Sequence, residues 1–268
     1  MADFDTLPFT ADTILIEQAA KAAGEIALKY FKASENEVWY KSGDSPVSQA
    51  DREVDTYLKT TLVGERSDYG WLSEETEDDQ RRTQQGRVFI ADPIDGTRGF
   101  LEGRAEWCIS IAVVEAGRPV SAVLHCPALD RTFTAEAGMG IYDNGKICQV
   151  SAKPKKLRVT GSKKLNAVMT TALAQEAEVI PFIPSLAYRF AMVAAGELDA
   201  AFARPGASEW DIAAADLILH EAGGRLSAAD GETLTYNKTD VRSPALVAGP
   251  ADYHDEILNL AKASGILQ

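Results

Sequence analysis

Apolar and polar positions alternate in two distinct periods along this chain. From Ala11 to Lys32 the residues Ile14, Leu15, Ala19, Ala22, Ala23, Ile26, Ala27, Tyr30 and Phe31 fall at helical spacing, which predicts a long amphipathic helix. Gly24, inside that helix, is a local weakness on propensity alone. The stretch KSGDSPVSQAD, Lys41 to Asp51, reads as a turn-rich loop. A second helix is expected from Ser48, with Ser48 as N-cap and Asp51 at N3, a shortened capping box. Val54, Leu58 and Leu62 mark its buried face.

Between Val88 and Val150 the period changes to that of strands. RVFIAD, WCISIAVVEAG, RPVSAVLHCP, RTFTAEAG and GIYDNGKICQV are short apolar runs broken by Gly, Pro and Asp-Asn, the signature of an antiparallel meander. EAGRPV and YDNGKI read as its hairpin turns. The remainder alternates: LRVTGS as a strand, Pro184–Ala195 as a helix, LDAAFAR as a strand, Asp211–Ala222 as a helix, SPALVAGP as a strand and Tyr253–Ala263 as a closing helix. Such an order predicts two sheets with helices between and outside them. SAKPKK, Ser151 to Lys156, is basic, contains proline and lacks apolar periodicity. It divides an N-terminal α+β half, 1–150, from a C-terminal αβ half, 151–268, expected to pack as one compact unit.

Length and charge narrow the function. The 268 residues, 46% apolar and 25% charged, suffice for one large domain or two intimately packed halves. No apolar run approaches the roughly 18 residues that span a bilayer. MADFDTLPFTADT lacks the basic and apolar regions of a secretory signal. Three cysteines without CxxC spacing argue against a disulfide framework or zinc site, so a reducing cytoplasm is expected. A net charge of −13 argues against a non-specific nucleic-acid or anionic-membrane surface, so neither a nucleic-acid polymer nor a membrane is expected as partner. It leaves room for a small phosphorylated metabolite, provided bound cations reverse the local sign.

The acids are the candidate chemistry. Glu74 and Glu75 follow Trp71-Leu72, Asp92 ends VFIA, Asp211 opens a helix behind Trp210, and Asp51 sits in a first helical turn. Singly, each has an ordinary explanation: Asp51 as a helix acid, Asp211 as an N-cap, Glu74 and Glu75 as part of a solvated acidic loop, and Asp92 as a turn former. Together they lie at strand ends and helix starts, where side chains can converge on one cleft. Gathered carboxylates repel one another and are costly to desolvate, and a divalent cation removes that cost. All-oxygen ligands point to Mg²⁺, with Mn²⁺ the alternative. Within DPIDGT, Pro93 ends the strand and the turn can bring Asp92, the Ile94 carbonyl and Asp95 to one side. Gly96 allows close backbone approach, and Thr97 can offer an amide to an anion and a hydroxyl to a water. There is no GxSxG and no P-loop. His125, His220 and His254 have no suitable neighbours, and Lys163-Lys164 and Lys153–Lys156 read as solvated charge.

WLSEET, DPIDGT and WDIAAADLILHEAGG, with SPVSQAD upstream, resemble the inositol monophosphatase superfamily of metal-dependent, lithium-sensitive phosphatases, over nearly the whole chain. The resemblance implies an α+β five-layer αβαβα sandwich that hydrolyses a small phosphomonoester with two or three Mg²⁺ ions and an activated water. By motif match, Glu74, Asp92, the Ile94 carbonyl, Asp95 and Asp211 would hold the cations. Glu75 would position a water, and Asp51 with Thr97 would polarise the attacking one. The Gly96 and Thr97 amides would hold phosphate, and Lys41 matches a segment that closes over the site in relatives. Ala215-Asp216 stands where many relatives have Ala-Gly. Arg204 stands where inositol-specific relatives carry a glutamate that contacts sugar hydroxyls, and its fork favours a second anionic group. SEWD, WLSEET and DPIDGTRGF also lean toward the 3′(2′),5′-bisphosphate nucleotidase branch. That places adenosine 3′,5′-bisphosphate first, inositol 1-phosphate second, and histidinol phosphate or a sugar phosphate behind them. A non-catalytic protein keeping the fold is the alternative of another class, opposed by the complete acid set. Relatives are often homodimers, and the sequence leaves monomer and homodimer open.

Overall fold

The computed structural model describes residues 9–33, 37–41 and 45–267, with the side chains of residues 40, 41 and 45 outside that description. In chain order the elements begin with α1 (Ala11–Tyr30), β1 (Val38–Lys41), β2 (Ser45–Ser48), α2 (Gln49–Glu65), β3 (Gly70–Ser73), β4 (Arg87–Asp95) and α3 (Thr97–Leu101). The meander follows as β5 (Cys108–Glu115), β6 (Arg118–Cys126), β7 (Arg131–Glu136), β8 (Ile141–Asp143) and β9 (Lys146–Cys148). The rest is β10 (Leu157–Thr160), α4 (Lys163–Ala172), β11 (Ala177–Val179), α5 (Leu186–Ala194), β12 (Ala200–Ala203), α6 (Glu209–Glu221), β13 (Gly224–Ala228), β14 (Leu246–Pro250) and α7 (His254–Ala263).

Two large sheets divide the chain. The seven-stranded sheet has the order β3-β4-β5-β6-β7-β8-β9, and the five-stranded sheet β11-β10-β12-β14-β13. Successive residues of one strand face different cores. In β4, Phe89 and Ala91 join α1 and α2 residues such as Ile16, Ala23, Val54 and Leu58. Ile90, between them, packs with Phe190 of α5 and Ile218 of α6 on the opposite side. In β12, Ala201 and Ala203 face that same inner core. Ala200 and Phe202 face Leu165 and Met169 of α4 and Ile257 of α7. The layers are therefore α1/α2, seven-stranded sheet, α5/α6, five-stranded sheet and α4/α7, the five-layer αβαβα sandwich. Because both faces of β4 are covered, it reads as a continuous apolar run rather than an alternating one.

The helix at the centre explains its own composition. Ile212 to Leu219 of α6 are all buried, and Ala213-Ala214-Ala215 lets both sheets approach closely. Asp216 lies among them. Its Oδ2 accepts the Tyr236 hydroxyl at 2.9 Å and lies 3.2 Å from Arg118 Nη1, so this departure from the family pattern is a paired structural acid. On the outside, Val54, Leu58 and Leu62 of α2 are fully buried, each contributing about 1.5–3 kcal/mol.

Several local expectations change. The stretch Lys41–Asp51, expected as a turn-rich loop, includes strand β2, which pairs antiparallel with β1, Trp39 opposite Val47. β3 joins the meander parallel to β4. Helix α4 and strands β11 and β13 were not anticipated. Both expected hairpin turns form, with Ala116-Gly117 at φ 49° and 77° and Asn144-Gly145 at 48° and 76°, the left-handed pairs that a tight turn requires.

Gly24 is where α1 meets β6. A Cβ there would lie 2.6 Å from His125 Cδ2 and 2.8 Å from Pro127 Cγ, and Thr132 Oγ1 holds the imidazole at 2.9 Å. The helix weakness is therefore a packing requirement. Gly24→Ala, which in an exposed helix would stabilise by about 1 kcal/mol, should here destabilise by about 1–3 kcal/mol through overpacking. Urea unfolding checks this, and a rise in midpoint would refute it.

Candidate active site

The site grows from the end of β4. Asp92 still pairs with Ser110 of β5, but the register shifts between Asp92 and Asp95. Pro93 has no N–H to continue the ladder. Asp92 Oδ1 instead accepts the Ile94 amide at 3.0 Å, a local turn that swings Asp95 onto the same side. Gly96 follows at φ 99°. A Cβ there would come within 3.2 Å of the Ser185 amide and 3.3 Å of the Glu106 carbonyl, so only glycine fits the close approach. Thr97 then opens α3.

Two further acids arrive by one repeated device. Ser48 and Asp51 form a capping box at the start of α2, and Ser208 and Asp211 form another at the start of α6. Asp51 Oδ2 accepts the Ser48 amide at 2.7 Å, and Asp211 Oδ2 accepts the Ser208 amide at 2.6 Å. Asp211 is therefore the N3 residue of α6, and Ser208 holds the N-cap position. Glu74 comes by register: Ser73 pairs with Ala91, which sets the next residue level with Asp92. Asp55 on α2 accepts the hydroxyls of Ser73 and Thr76 and so pins both sides of Glu74-Glu75. Sequence reasoning passed over Asp55, although it lies one helical turn after Asp51.

The oxygens of Asp92, Asp95 and Asp211 come within 4.8 Å of one another. Burial, then the charges of Glu74, Asp95, Asp211 and Asp51, push the Asp92 carboxyl well above its usual range. Burial and the neighbouring Asp95 push Asp211 up to about 8. Burial pushes Asp51 up to about 6, against the Ser48 hydrogen bonds. Asp95 is raised by burial, while the Ser185 hydroxyl, the Ala187 and Leu186 amides and the Arg189 charge pull it down. The Cys108 thiol lies 3.9 Å from Asp95 Oδ2, and burial pushes it well up, so it is no soft ligand. Converging, desolvated oxygens without a thiolate fit a hard divalent cation.

Thr97 Oγ1 lies 3.2 Å from Asp51 Oδ1 and 3.0 Å from the Ile94 carbonyl, so the structure brings the expected water-polarising pair together. Thr97 and Ile94 line a cavity of about 460 Å³, with Asp51 behind the Thr97 hydroxyl. Glu74, Asp92, Ile94, Asp95, Gly96, Thr97 and Asp211 line it from the seven-stranded sheet and α6; Ser162, Lys163, Lys164, Phe182 and Pro184 line it from the five-stranded side. Lys163 and Lys164 are exposed, in keeping with their reading as solvated charge, and they also line this cavity, which that reading did not include. They were missed because α4 was not anticipated. Arg204 follows β12 as an exposed residue and is not among the cavity-lining side chains. Nor is Glu75, which is partly buried beside Glu74. The Lys41 side chain lies outside the described residues.

The sequence profile of the inositol monophosphatase family matches residues 10–265. A histidinol-phosphatase of Mycobacterium tuberculosis is 31% identical, over 94% of this chain and 98% of its own. A 3′-phosphoadenosine 5′-phosphate phosphatase of Mycobacterium leprae is 30% identical over 98% of both chains. Among solved structures, the extragenic suppressor protein suhB of Bartonella henselae superposes with a TM-score of 0.84 at 28% identity, covering 94% of this chain and 99% of that one. Fold and site together define a phosphomonoester hydrolase acting on a small phosphorylated molecule. The chain belongs to the inositol monophosphatase family, whose members are generally metal-dependent. Among the described residues no helix is long and apolar enough to cross a membrane.

Raised carboxyl pKa values give the metal-free protein a definite pH dependence. Asp51 at about 6 and Asp211 at about 8 exceed the unfolded value of about 3.9, so between pH 4 and 8 the native state binds more protons than the unfolded one. Stability therefore falls as pH rises through that window, by on the order of a few kcal/mol. In EDTA the Tm should drop between pH 5 and 8, and saturating Mg²⁺ should flatten the slope. A pH-independent Tm in EDTA would refute the clustering.

Proposed function

We propose that this chain is a Mg²⁺-dependent phosphatase for a small phosphomonoester whose leaving group carries a second anionic group, with a 3′(2′),5′-bisphosphonucleotide such as adenosine 3′,5′-bisphosphate as the leading substrate. The observation that carries the reading is that Lys163 and Lys164 share the cavity with the acid cluster. Adenosine 3′,5′-bisphosphate offers one phosphate to the carboxylate-held cations and another to the lysines. Inositol 1-phosphate has neutral hydroxyls for that second place, and histidinol phosphate has an ammonium group that the lysines disfavour. Arg204 supports the same preference on charge grounds, from outside the cavity lining.

Glu74, Asp92, the Ile94 carbonyl, Asp95 and Asp211 are the oxygens that would hold the cations, with Mn²⁺ as the alternative ion. Bound there, the cations supply Lewis-acid polarisation and neutralise phosphate charge. The remaining work falls to the chain. The Thr97 hydroxyl orients the attacking water and passes its proton toward Asp51, whose raised pKa suits a general base near neutrality. Glu75 positions a water beside Glu74. The Gly96 and Thr97 amides hold the phosphate in line, and Lys41 closes over it. Water displaces the alcohol at phosphorus directly, so no side chain acts as nucleophile. Ligands come from both halves, 1–150 and 151–268, which we read as one compact unit.

The deciding measurement is kcat/KM for adenosine 3′,5′-bisphosphate, inositol 1-phosphate and histidinol phosphate in Mg²⁺. The bisphosphate should lead by about tenfold or more, the gain of one charge-assisted contact. Lys163→Ala combined with Lys164→Ala should raise its KM by a similar factor while leaving inositol 1-phosphate nearly unchanged. A preference for inositol 1-phosphate would overturn the assignment. Asp95→Asn should lower kcat by about 100-fold or more in a protein that still folds. Wild-type turnover in a folded variant would remove Asp95 from the ligand set.

A further inference from the structure

Arg189 has no role in the reaction just described. It lies in the middle of α5, between the two sheets, and is 6% exposed. A buried guanidinium requires partners or counter-charge. Among the described residues its hydrogen bonds go to carbonyls: Nε to the Ser185 oxygen at 3.2 Å, one turn back, and Nη1 to the Phe202 oxygen of β12 at 3.5 Å. Carbonyls satisfy donors but do not neutralise a charge. No direct ion pair joins it to a carboxylate among the described residues, and its guanidinium carbon lies 6.0 Å from the Phe182 ring; the acids whose charge favours its cationic form from beyond contact are Asp95 and Asp211. Burial pulls its pKa down to about 10, so it remains a cation at neutral pH. It does not line the cavity, which separates it from the substrate-facing lysines.

Its position follows from α5. The Ser185 hydroxyl caps this helix, accepting the Tyr188 amide at 2.9 Å, and also donates to Asp95 Oδ2. The Ala187 amide donates to the same oxygen at 2.7 Å. A long helical side chain points back toward the N-terminus. Arg189 thus reaches toward the residue that holds Asp95 and brings a full charge behind the helix's partial one.

We propose that Arg189 is a built-in counter-ion of the acid cluster, holding the carboxylates together in the cation-free protein and weakening the binding of the cations that later join it. The proposal rests on the reading of these carboxylates as cation ligands. Two positive groups acting on the same acids oppose each other, and the coupling is reciprocal. Removing the arginine should harm the metal-free protein most and tighten its hold on Mg²⁺.

The test compares wild type with Arg189→Met and Arg189→Lys, by thermal unfolding in EDTA and in saturating Mg²⁺ and by calorimetric titration with Mg²⁺ alone. The Met variant should lose Tm in EDTA, recover most of it in Mg²⁺, and bind Mg²⁺ about tenfold more tightly, a typical coupling. The Lys variant should resemble wild type in both respects. An equal Tm loss in both media with unchanged affinity would reduce Arg189 to a pin for two carbonyls and overturn the proposal. Weaker Mg²⁺ binding in the Met variant would also overturn it. A Met variant that folds only with Mg²⁺ supports it, and one that stays unfolded in saturating Mg²⁺ overturns it. Wild-type protein that binds no Mg²⁺ would overturn the cation reading of the site as well, whereas altered affinity with the wrong substrate preference would leave Arg189 in place.

Discussion

Bringing Asp51, Glu74, Asp92, Asp95 and Asp211 into one desolvated cleft is the constraint to which the surrounding structure answers. The charges of Asp51, Asp92, Asp95 and Asp211 are disfavoured by burial, and those of Asp51, Asp92 and Asp211 again by their neighbours. The fold opposes this with helix starts. Asp51 accepts the amide of Ser48, the N-cap of α2, Asp211 that of Ser208, the N-cap of α6, and Asp95 the first amides of α5, from Leu186 and Ala187. A helix N-terminus places unpaired N–H groups and a partial positive charge beside each carboxylate. Three helices from two layers, α2 on one face of the seven-stranded sheet and α5 and α6 on the other, therefore converge on the end of β4.

Holding acids in place also needs a frame that tolerates their repulsion. Arg82, itself buried, bonds Asp78 at 2.7 Å, the Asn237 side chain at 2.7 Å and the Lys238 carbonyl at 2.8 Å. Glu209, in the first turn of α6, accepts the Asn237 and Lys238 amides at 2.7 and 3.0 Å. This chain of contacts runs from the loop behind Glu74-Glu75 to the helix that carries Asp211. With Asp55 pinning Ser73 and Thr76, it ties the two sides of the cluster by hydrogen bonds outside the cleft. Repulsion inside the cleft is then resisted by a connected polar network, rather than by side chains that would have to enter the site.

What was legible in the sequence was whatever a local pattern encodes. The 3.6 period of α1 and α2, the strand texture from Val88 to Val150, the Ser48–Asp51 cap and the candidate acids at strand ends and helix starts all depend on neighbours a few residues away. The two-sheet architecture followed from the order of those elements. What stayed hidden depends on contacts distant in sequence. Gly24 looked like a defect until His125 was set against it. Asp216 was unexplained until Arg118 and Tyr236 arrived from other elements. Helix α4 opens with two lysines, so its start looked like surface. The hairpin of β1 and β2 is short and rich in turn residues, which masks its alternation. Arg189 gave no sequence signal, because an arginine in an amphipathic helix ordinarily faces water.

Charge within the cavity changes from one wall to the other, and this bears on how an acidic protein can handle an anion. With a net charge of −13 the chain as a whole repels phosphate at long range, but screening confines that repulsion to about 10 Å at ordinary ionic strength. Inside the cleft local sources dominate: Lys163 and Lys164 on one wall, and on the other the carboxylates with Arg98 of α3 beside them. A substrate with a single phosphate and a neutral remainder would satisfy only the carboxylate wall, through cations, and would leave the lysines with solvent. A substrate with two anionic groups at opposite ends engages both walls, and its orientation is then set by charge before any shape is read. Under the proposed reading the scissile phosphate lies at the carboxylate wall, because Thr97 lines that wall and its hydroxyl lies 3.2 Å from Asp51 Oδ1 behind it.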